Sequence, residues 1–395
     1  MNRAILNIEN QDFINSNLDS NTVQLLLQNT DSGTVRIKEL VEQIEAKNKC
    51  KSKLPTWYNT PQIYFPNKLN IEQTSSEITA EYKSNLVKGN TLIDLTGGFG
   101  VDSFCFSKQF KHVTHCEIDP NLSEIVTHNF KTLGVNNVTT LPIDGVEYLE
   151  HSSTTFDCIY IDPSRRHDSK GKVFYLSDCL PNVIEHIDML LEHSKTIMIK
   201  ASPMLDISMG FKELKWVKEV HIVAINNEVK ELLFLIEKNF KNNINIKTIN
   251  VTNTKNQILE FALETEKESI SSYGLPKKYL YEPNSAILKA GAFNTISKSL
   301  TIDKLHKHSH LYTSETLIEF PGRRFEITEV IPYNKKVITK RFSKSKCNVI
   351  TRNFPETVAQ LRSKFKMKDG GNLFVFFTTN ENNEKIVIVT SQLKK

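Results

Sequence analysis

Long apolar runs are what this 395-residue sequence lacks most clearly. No stretch approaches the roughly 20 apolar residues that a membrane span needs. The opening residues, MNRAILNIENQDFINSNLDSN, are mixed and acidic, without the apolar centre of a signal peptide. Paired cysteines are missing too. Cys50, Cys105, Cys116, Cys158, Cys179 and Cys347 form no CxxC and no disulfide-like spacing, so they read as reduced, mostly buried thiols of a cytoplasmic protein. No glycine cluster ends in GK[ST], which excludes a phosphate-cradling P-loop. There is no internal repeat. Three histidines alternate in LHKHSHLY (His306, His308, His310), but no nearby Cys or carboxylate completes a metal site. They read as a solvated loop, and no metal is expected.

Apolar residues at 39% and charged residues at 24% suit a globular chain on the polar side. The length allows two or three domains. The net charge of +5 is unevenly spread. Residues 321–395 hold 16 Lys/Arg and 6 Asp/Glu, while the other 320 hold 34 and 39. A basic module on a mildly acidic body points to a polyanionic partner.

Helical spacing runs through residues 10–50, interrupted at NTDSG. KLPTWYNTPQIYFP follows and reads as extended because of its three prolines. A helix over 74–87 is expected with Thr74 or Ser75 as its cap. From residue 91 short apolar runs alternate with helical segments. Strands are expected at TLIDL, HVTHCEI (112–118), NVTTL (137–141), FDCIYID (156–162) and KTIMIKA (195–201), with a helix over about 176–193. This is the pattern of βαβ units around a parallel sheet. VKEVHIVAI (217–225) and ELLFLIE (231–237) are separated only by a turn, so the sheet should close on an antiparallel pair. The Asn/Lys-rich text after 238 suits one more irregular hairpin. In YLYEPNSAILKAGAFNTISK (279–298), Pro283 stands near a helix start. Residues 325–391 read as three strand-like runs, a helix (355–366) and a hairpin, a small α+β domain.

The densest chemistry is DLTGGFGVD, Asp94 to Asp102. The turn after a first parallel strand is where doubly wound sheets bind ligands, and glycine lets the backbone turn tightly there. From Gly98 the dinucleotide fingerprint fails, because Ser103 stands at its third glycine. Asp94, just before the turn, would repel a pyrophosphate but suits a ligand with an amino or sulfonium charge. S-adenosylmethionine carries both. Glu117 ends the second strand, where an acid can bond ribose hydroxyls. Asp144 follows the third strand and can accept from an adenine amino group, cap the next helix, or both. Asp102 reads as a helix cap rather than a cofactor contact.

At these residues the chain resembles the class I S-adenosylmethionine-dependent methyltransferases, whose signature is an acid followed by GxGxG and whose sheet ends in an antiparallel hairpin. The resemblance covers about residues 74–240. It implies a Rossmann-like seven-stranded sheet and a cofactor site at Asp94, Thr96, Gly97, Gly98, Gly100, Glu117 and Asp144. Thr96 departs from the pattern by replacing the first glycine. Gly98 and Gly100 hold the other two motif positions, and Gly97 reads as incidental to the motif.

In that superfamily the acceptor site follows strand four, where NPPY-like tetrads accompany methylation of an exocyclic amine on a base. Here the text is DPSRR. Asp162 and Pro163 match the tetrad, whereas Ser164 and Arg165 do not. Asp162 is the expected acceptor of the substrate's proton or hydrogen bond. Ser164, Arg165 and Arg166 are expected at the substrate, a guanidinium being able to contact phosphate or stack on a base. KASPMLD (200–206), with Lys200, is a candidate for the opposite wall.

The whole layout is similar to a narrower bacterial group that carries DLTGGFGVD, DPSRR, a ferredoxin-like segment and a C-terminal THUMP-like domain. The shared text includes EQTSSEITAEYK (72–83) and YLYEPNSAILKAG (279–291). This resemblance implies a helical lead-in (1–73), a methyltransferase domain (74–240), a ferredoxin-like segment (241–324) and a basic THUMP-like domain (325–395). It also implies RNA, tRNA or rRNA, as the partner, with Lys336, Lys340 and Arg341 among the backbone contacts. Two other readings stay open: a methyltransferase acting on a small molecule or protein, and a non-catalytic RNA-binding protein on the same fold.

Overall fold

The computed structural model describes residues 1–28, 35–165 and 175–393. The chain forms two compact units, Met1–Val217 with Leu233–Lys241, and Lys218–Leu232 with Asn242–Lys395.

The first unit opens with the expected helical lead-in, its helices at Ile8–Ser16, Thr22–Gln28 and Ile37–Lys53. NTDSG lies outside the described residues. The proline-rich stretch is not wholly extended. Pro55 starts a short helix, Pro55–Asn59, from its first position, where the missing N–H costs nothing. The next expected cap shifts by a residue or two: Ser76, not Thr74 or Ser75, accepts from Thr79 N and begins the helix Glu77–Ser84.

The strands follow the apolar runs: β1 (Gly89–Asp94), β2 (Phe110–Cys116), β3 (Val138–Leu141), β4 (Cys158–Ile161) and β5 (Thr196–Ala201). Pairing is parallel throughout this set. All four residues of β4 are buried, as expected of a strand covered on both faces. β6 (Val217–Ile225) and β7 (Glu228–Glu237) are joined by Asn226 and Asn227, both in the left-handed region (φ 49° and 67°) that a two-residue hairpin turn requires. The expected extra hairpin is β8 (Asn245–Val251) with β9 (Gln257–Ala262). The full order is β9-β8-β6-β7-β5-β4-β1-β2-β3. Within it β6 to β1 and on to β3 make the seven strands of the methyltransferase sheet, and β8 extends it by pairing parallel to β6.

The second unit takes in β6 from Lys218, β7 as far as Leu232, and all of β8 and β9. It also holds a seven-stranded sheet: β10 (Tyr279–Pro283), β11 (Asp303–Lys304), β12 (Tyr312–Ser314), β13 (Gly322–Pro332), β14 (Asn348–Arg352), β15 (Leu373–Thr379) and β16 (Lys385–Gln392). Its order is β11-β12-β10-β13-β16-β15-β14, with β14–β15 the parallel pair. Pro283 ends a strand, and Asn284 caps the helix that follows, Ser285–Ala290. Before its helix Val358–Phe365 the C-terminal domain has two strands, not three, with an unexpected helix between them, Lys335–Phe342. Asn334 caps it, and Ile338 and Phe342, one turn apart, are both fully buried.

Of the three histidines only His308 is exposed. His306 is buried, with its ring between Asn353 (2.8 Å) and Asn383 (3.2 Å). His310 stacks on Phe293 at 3.7 Å, and burial pushes it down to about 4. All six cysteines are free and buried. Among the described residues no helix is long and apolar enough to cross a membrane.

Candidate functional site

The glycine turn is pinned on both sides. Leu95 N donates to Tyr160 O (3.0 Å), and Gly97 N donates to Cys116 O (2.8 Å), so the turn is fastened to β4 and to the end of β2. Gly98 and Gly100 have positive φ, 54° and 80°. A Cβ on Gly100 would lie 2.7 Å from the Phe130 ring. A Cβ on Gly98 would meet nothing nearer than Thr96 O at 3.9 Å, so one side of the turn is open to a ligand. Gly97 is not incidental. Its Cβ would lie 2.2 Å from Nε2 of His115, whose buried ring lies beneath the turn and is pushed down to about 4 by desolvation. Phe99 of the same turn packs against Trp57 of the lead-in at 6.3 Å.

The three acids stand at the carboxyl ends of β1, β2 and β3. Asp94 is 1% exposed; its Oδ1 accepts from Thr96 N (3.1 Å) and its Oδ2 from Ser103 Oγ (2.6 Å). Burial raises its carboxyl to about 7; those two bonds oppose the rise, and the charges of Asp102 and Asp162 add to it. Glu117 is raised by burial, against bonds from Asp119 N (2.8 Å) and Gly98 N (2.9 Å). Its carboxylate thus ties the turn to the end of β2. Asp144 caps the helix Gly145–Glu150, accepting from Val146 N (2.8 Å) and Glu147 N (3.3 Å).

Asp102 is not the cap of its helix; Gly100 holds that position for Val101–Phe106. Asp102 accepts instead from Ser75 Oγ (2.8 Å) and Tyr160 OH (2.9 Å) and pairs with the fully buried Lys83 (3.1 Å). Burial would raise this carboxyl, but the Lys83 and Lys200 charges and the two bonds hold it below the usual range.

Thr96 is placed by an unexpected bond. Its Oγ1 accepts from the backbone N of Asp162 at 2.7 Å, while its own N–H serves Asp94. One residue therefore joins the acid before the turn to the acid after β4. Its φ is not positive, so the glycine of the motif is not sterically required there. Lys200, from β5, pairs with Oδ2 of Asp162. Pro163 is buried and Ser164 exposed. Ser164 and Arg165 form a short antiparallel pairing with Leu180 and Cys179. Arg166 lies outside the described residues. Lys336, Lys340 and Arg341 are exposed on the helix Lys335–Phe342 of the second unit, and Arg341 pairs with Glu329 at 2.9 Å. Two features at the β-strand ends escaped the sequence reading. Ile118, directly after Glu117, is 70% exposed, and Met204, in the loop after β5, is 73% exposed. An apolar residue immediately after a strand-end acid was the available signal for Ile118.

Residues 66–226 match the family model described as "Conserved hypothetical protein 95", 279–321 a ferredoxin-like domain, and 322–392 a domain described as THUMP domain-like. The chain is 31% identical to a protein whose crystal structure is titled "putative methyltransferase from Porphyromonas gingivalis W83", with 97% of each chain covered and a TM-score of 0.85. The chain belongs to the family of that protein, a three-part arrangement of methyltransferase-type, ferredoxin-like and THUMP-like domains. Two further solved structures match a smaller share of the chain. A Streptococcus mutans protein in complex with SAH is 18% identical, over 41% of this chain and 96% of its own (TM-score 0.31). An rRNA methylase from Streptococcus thermophilus is 13% identical, over 42% and 95% (TM-score 0.31). No curated protein matches this chain.

Proposed function

We propose that the protein is an S-adenosylmethionine-dependent methyltransferase that modifies a base, at an exocyclic amine, in structured RNA such as tRNA or rRNA. The observation that carries this reading is the bonded unit Asp94–Thr96–Asp162. It puts a buried carboxylate suited to a cationic ligand next to a carboxylate suited to an acceptor amine. The residues fit the cofactor: Gly98 leaves its side of the turn open, Glu117 and Asp144 stand at the neighbouring strand ends, and Ile118 offers an apolar face for an adenine ring. The cofactor supplies the electrophilic methyl group. The chain's own residues orient the two partners and accept the amine's hydrogen bond, through Oδ1 of Asp162 while Lys200 holds Oδ2. Arg165 and Arg166 are the proposed contacts to the acceptor nucleotide. The THUMP-like match over 322–392 and the basic balance of 321–395 support RNA as the substrate.

The test is transfer of labelled methyl to RNA from cells lacking the protein, followed by nucleoside analysis. Label in one modified nucleoside is expected. Label confined to protein or small molecules would refute the RNA reading. Asp162→Asn should lower transfer by about 100-fold or more while leaving cofactor affinity within a few-fold. Equal loss of both would remove Asp162 from the proposed role.

A further inference from the structure

The second unit contains a cleft of about 220 Å³ lined by none of the proposed site residues, with Asn227, Asn250, Gln257, Asn284, Arg323 and Arg324 in its lining. Asn250 and Asn284, 3% and 2% exposed, both donate through Nδ2 to Oε1 of Gln257, at 2.9 and 3.2 Å. Their orientations are fixed by backbone donors. Asn250 Oδ1 accepts from Asn227 N (2.7 Å), Asn284 Oδ1 from Ile287 N (3.1 Å), and Asn227 Oδ1 from Ser285 N (2.8 Å). In each asparagine the oxygen is engaged and N–H groups remain. Buried amides are costly unless their bonds are met, so a cluster with surplus donors is suited to a ligand rich in acceptors.

The arginines define that ligand further. The buried Glu282 is shared by Arg323 and Arg352, so the triad keeps a net positive charge. Glu282 holds the Arg323 guanidinium, which sits over the Phe325 ring at 5.5 Å with about a third of its side chain exposed. A guanidinium plane held this way is a stacking surface for a nucleobase. The adjacent Arg324 adds a second charge to the lining. The volume falls below the roughly 300–1,000 Å³ of pockets for drug-sized ligands, which favours one nucleotide over a longer segment.

We propose that this cleft binds a single nucleotide, its base on Arg323 and against the amides. The nucleotide is either free or an unpaired residue of an RNA strand. Only the second source rests on the RNA reading above. The test uses the full chain with three probes: inorganic phosphate, AMP or CMP, and a short single-stranded RNA. Binding is measured by calorimetry and by the ¹⁵N side-chain amide resonances of Asn227, Asn250 and Asn284. The expected result is that a mononucleotide or the RNA shifts those resonances, and that Arg324→Glu weakens binding at least tenfold with an unchanged melting temperature. Asn227→Asp, which keeps the turn conformation and places a carboxylate in the cleft, should do the same. Amide resonances unmoved by millimolar nucleotide and by RNA would overturn the proposal, as would affinity unchanged in both variants. If bulk tRNA binds the wild type and both variants equally, the cleft fails while the RNA reading stands. If mononucleotide binds here but no RNA binds anywhere, the RNA reading fails and the cleft stands.

Discussion

Asp94→Asn should make the first unit more stable and at the same time unable to bind the cofactor. Both oxygens of Asp94 receive neutral donors, Thr96 N–H and the Ser103 hydroxyl, and burial lifts the carboxyl from an ordinary 3.8 to about 7. Below about pH 4 the native and unfolded chains both hold this proton, so the group has no effect there. Between pH 4 and 7 the unfolded chain releases it and the native chain keeps it. Stability then falls as pH rises, by about 1.4 kcal/mol per pH unit, and the full loss of about 4 kcal/mol is reached above pH 7. Asn carries no charge in either state. Its Oδ1 can keep the Thr96 bond, and its Nδ2 can donate to Ser103 Oγ. The variant should match the wild type near pH 4 and exceed it by about 2–4 kcal/mol at pH 8, allowing for relaxation around the buried charge. Urea denaturation followed by tryptophan fluorescence is the assay. Both tryptophans, Trp57 and Trp216, belong to the first unit, so the signal reports unfolding there. A stability difference that does not change between pH 5 and 8 would refute the raised carboxyl. S-adenosylmethionine binding as tight in Asp94→Asn as in the wild type would refute its role with a cationic ligand.

The other predictions concern coupling and charge. Thr96→Ser keeps the hydroxyl and should retain transfer. Thr96→Gly restores the GxGxG spelling but loses the 2.7 Å bond to Asp162 N. The glycine variant should lower kcat about tenfold or more with little change in cofactor affinity; equal kcat for the two variants would show that Thr96 does not position Asp162. Lys336 and Lys340 lie one turn apart on an exposed helix face. Replacing both by alanine should reduce the slope of log affinity for duplex RNA against log salt by up to about 2, read by fluorescence anisotropy at several salt concentrations. An unchanged slope would place the RNA contacts elsewhere.

The parallel strands were legible because burial on both faces leaves apolar runs such as CIYI and TIMI, which local composition reveals. The helix Lys335–Phe342 was not, because VIT has strand propensity and only the burial of Ile338 and Phe342 on one face, with the Asn334 cap, decides the outcome. The acids at 94, 117 and 144 were readable from their positions after strands. Their partners were not. Lys83 with Asp102 and Thr96 with Asp162 are joined across many residues of chain, and no periodicity signals such pairs. Gly97 shows the same limit. Its need for glycine comes from the His115 ring on the next strand, and no pattern within DLTGGFGVD displays that ring.

The departure at Thr96 follows from what each glycine position must do. Gly98 and Gly100 have left-handed backbones, and Gly97 has a side chain against it, so all three are held by sterics. Thr96 has neither constraint. Its position in the motif can therefore carry a side chain, and the one present reaches the loop after β4. Through it the segment that ends in Asp94 is bonded directly to the segment that begins with Asp162. Lys200 then fixes the Asp162 carboxylate from β5, and Tyr160 fixes Asp102 from β4. The acid after β4 is thus held from β5 and from the β1 turn, while the acid at the end of β1 is held by its own turn and by the Ser103 hydroxyl of the helix that follows. Precise placement of two reacting partners depends on such cross-strand support, and here a departure from the GxGxG signature supplies one of its bonds.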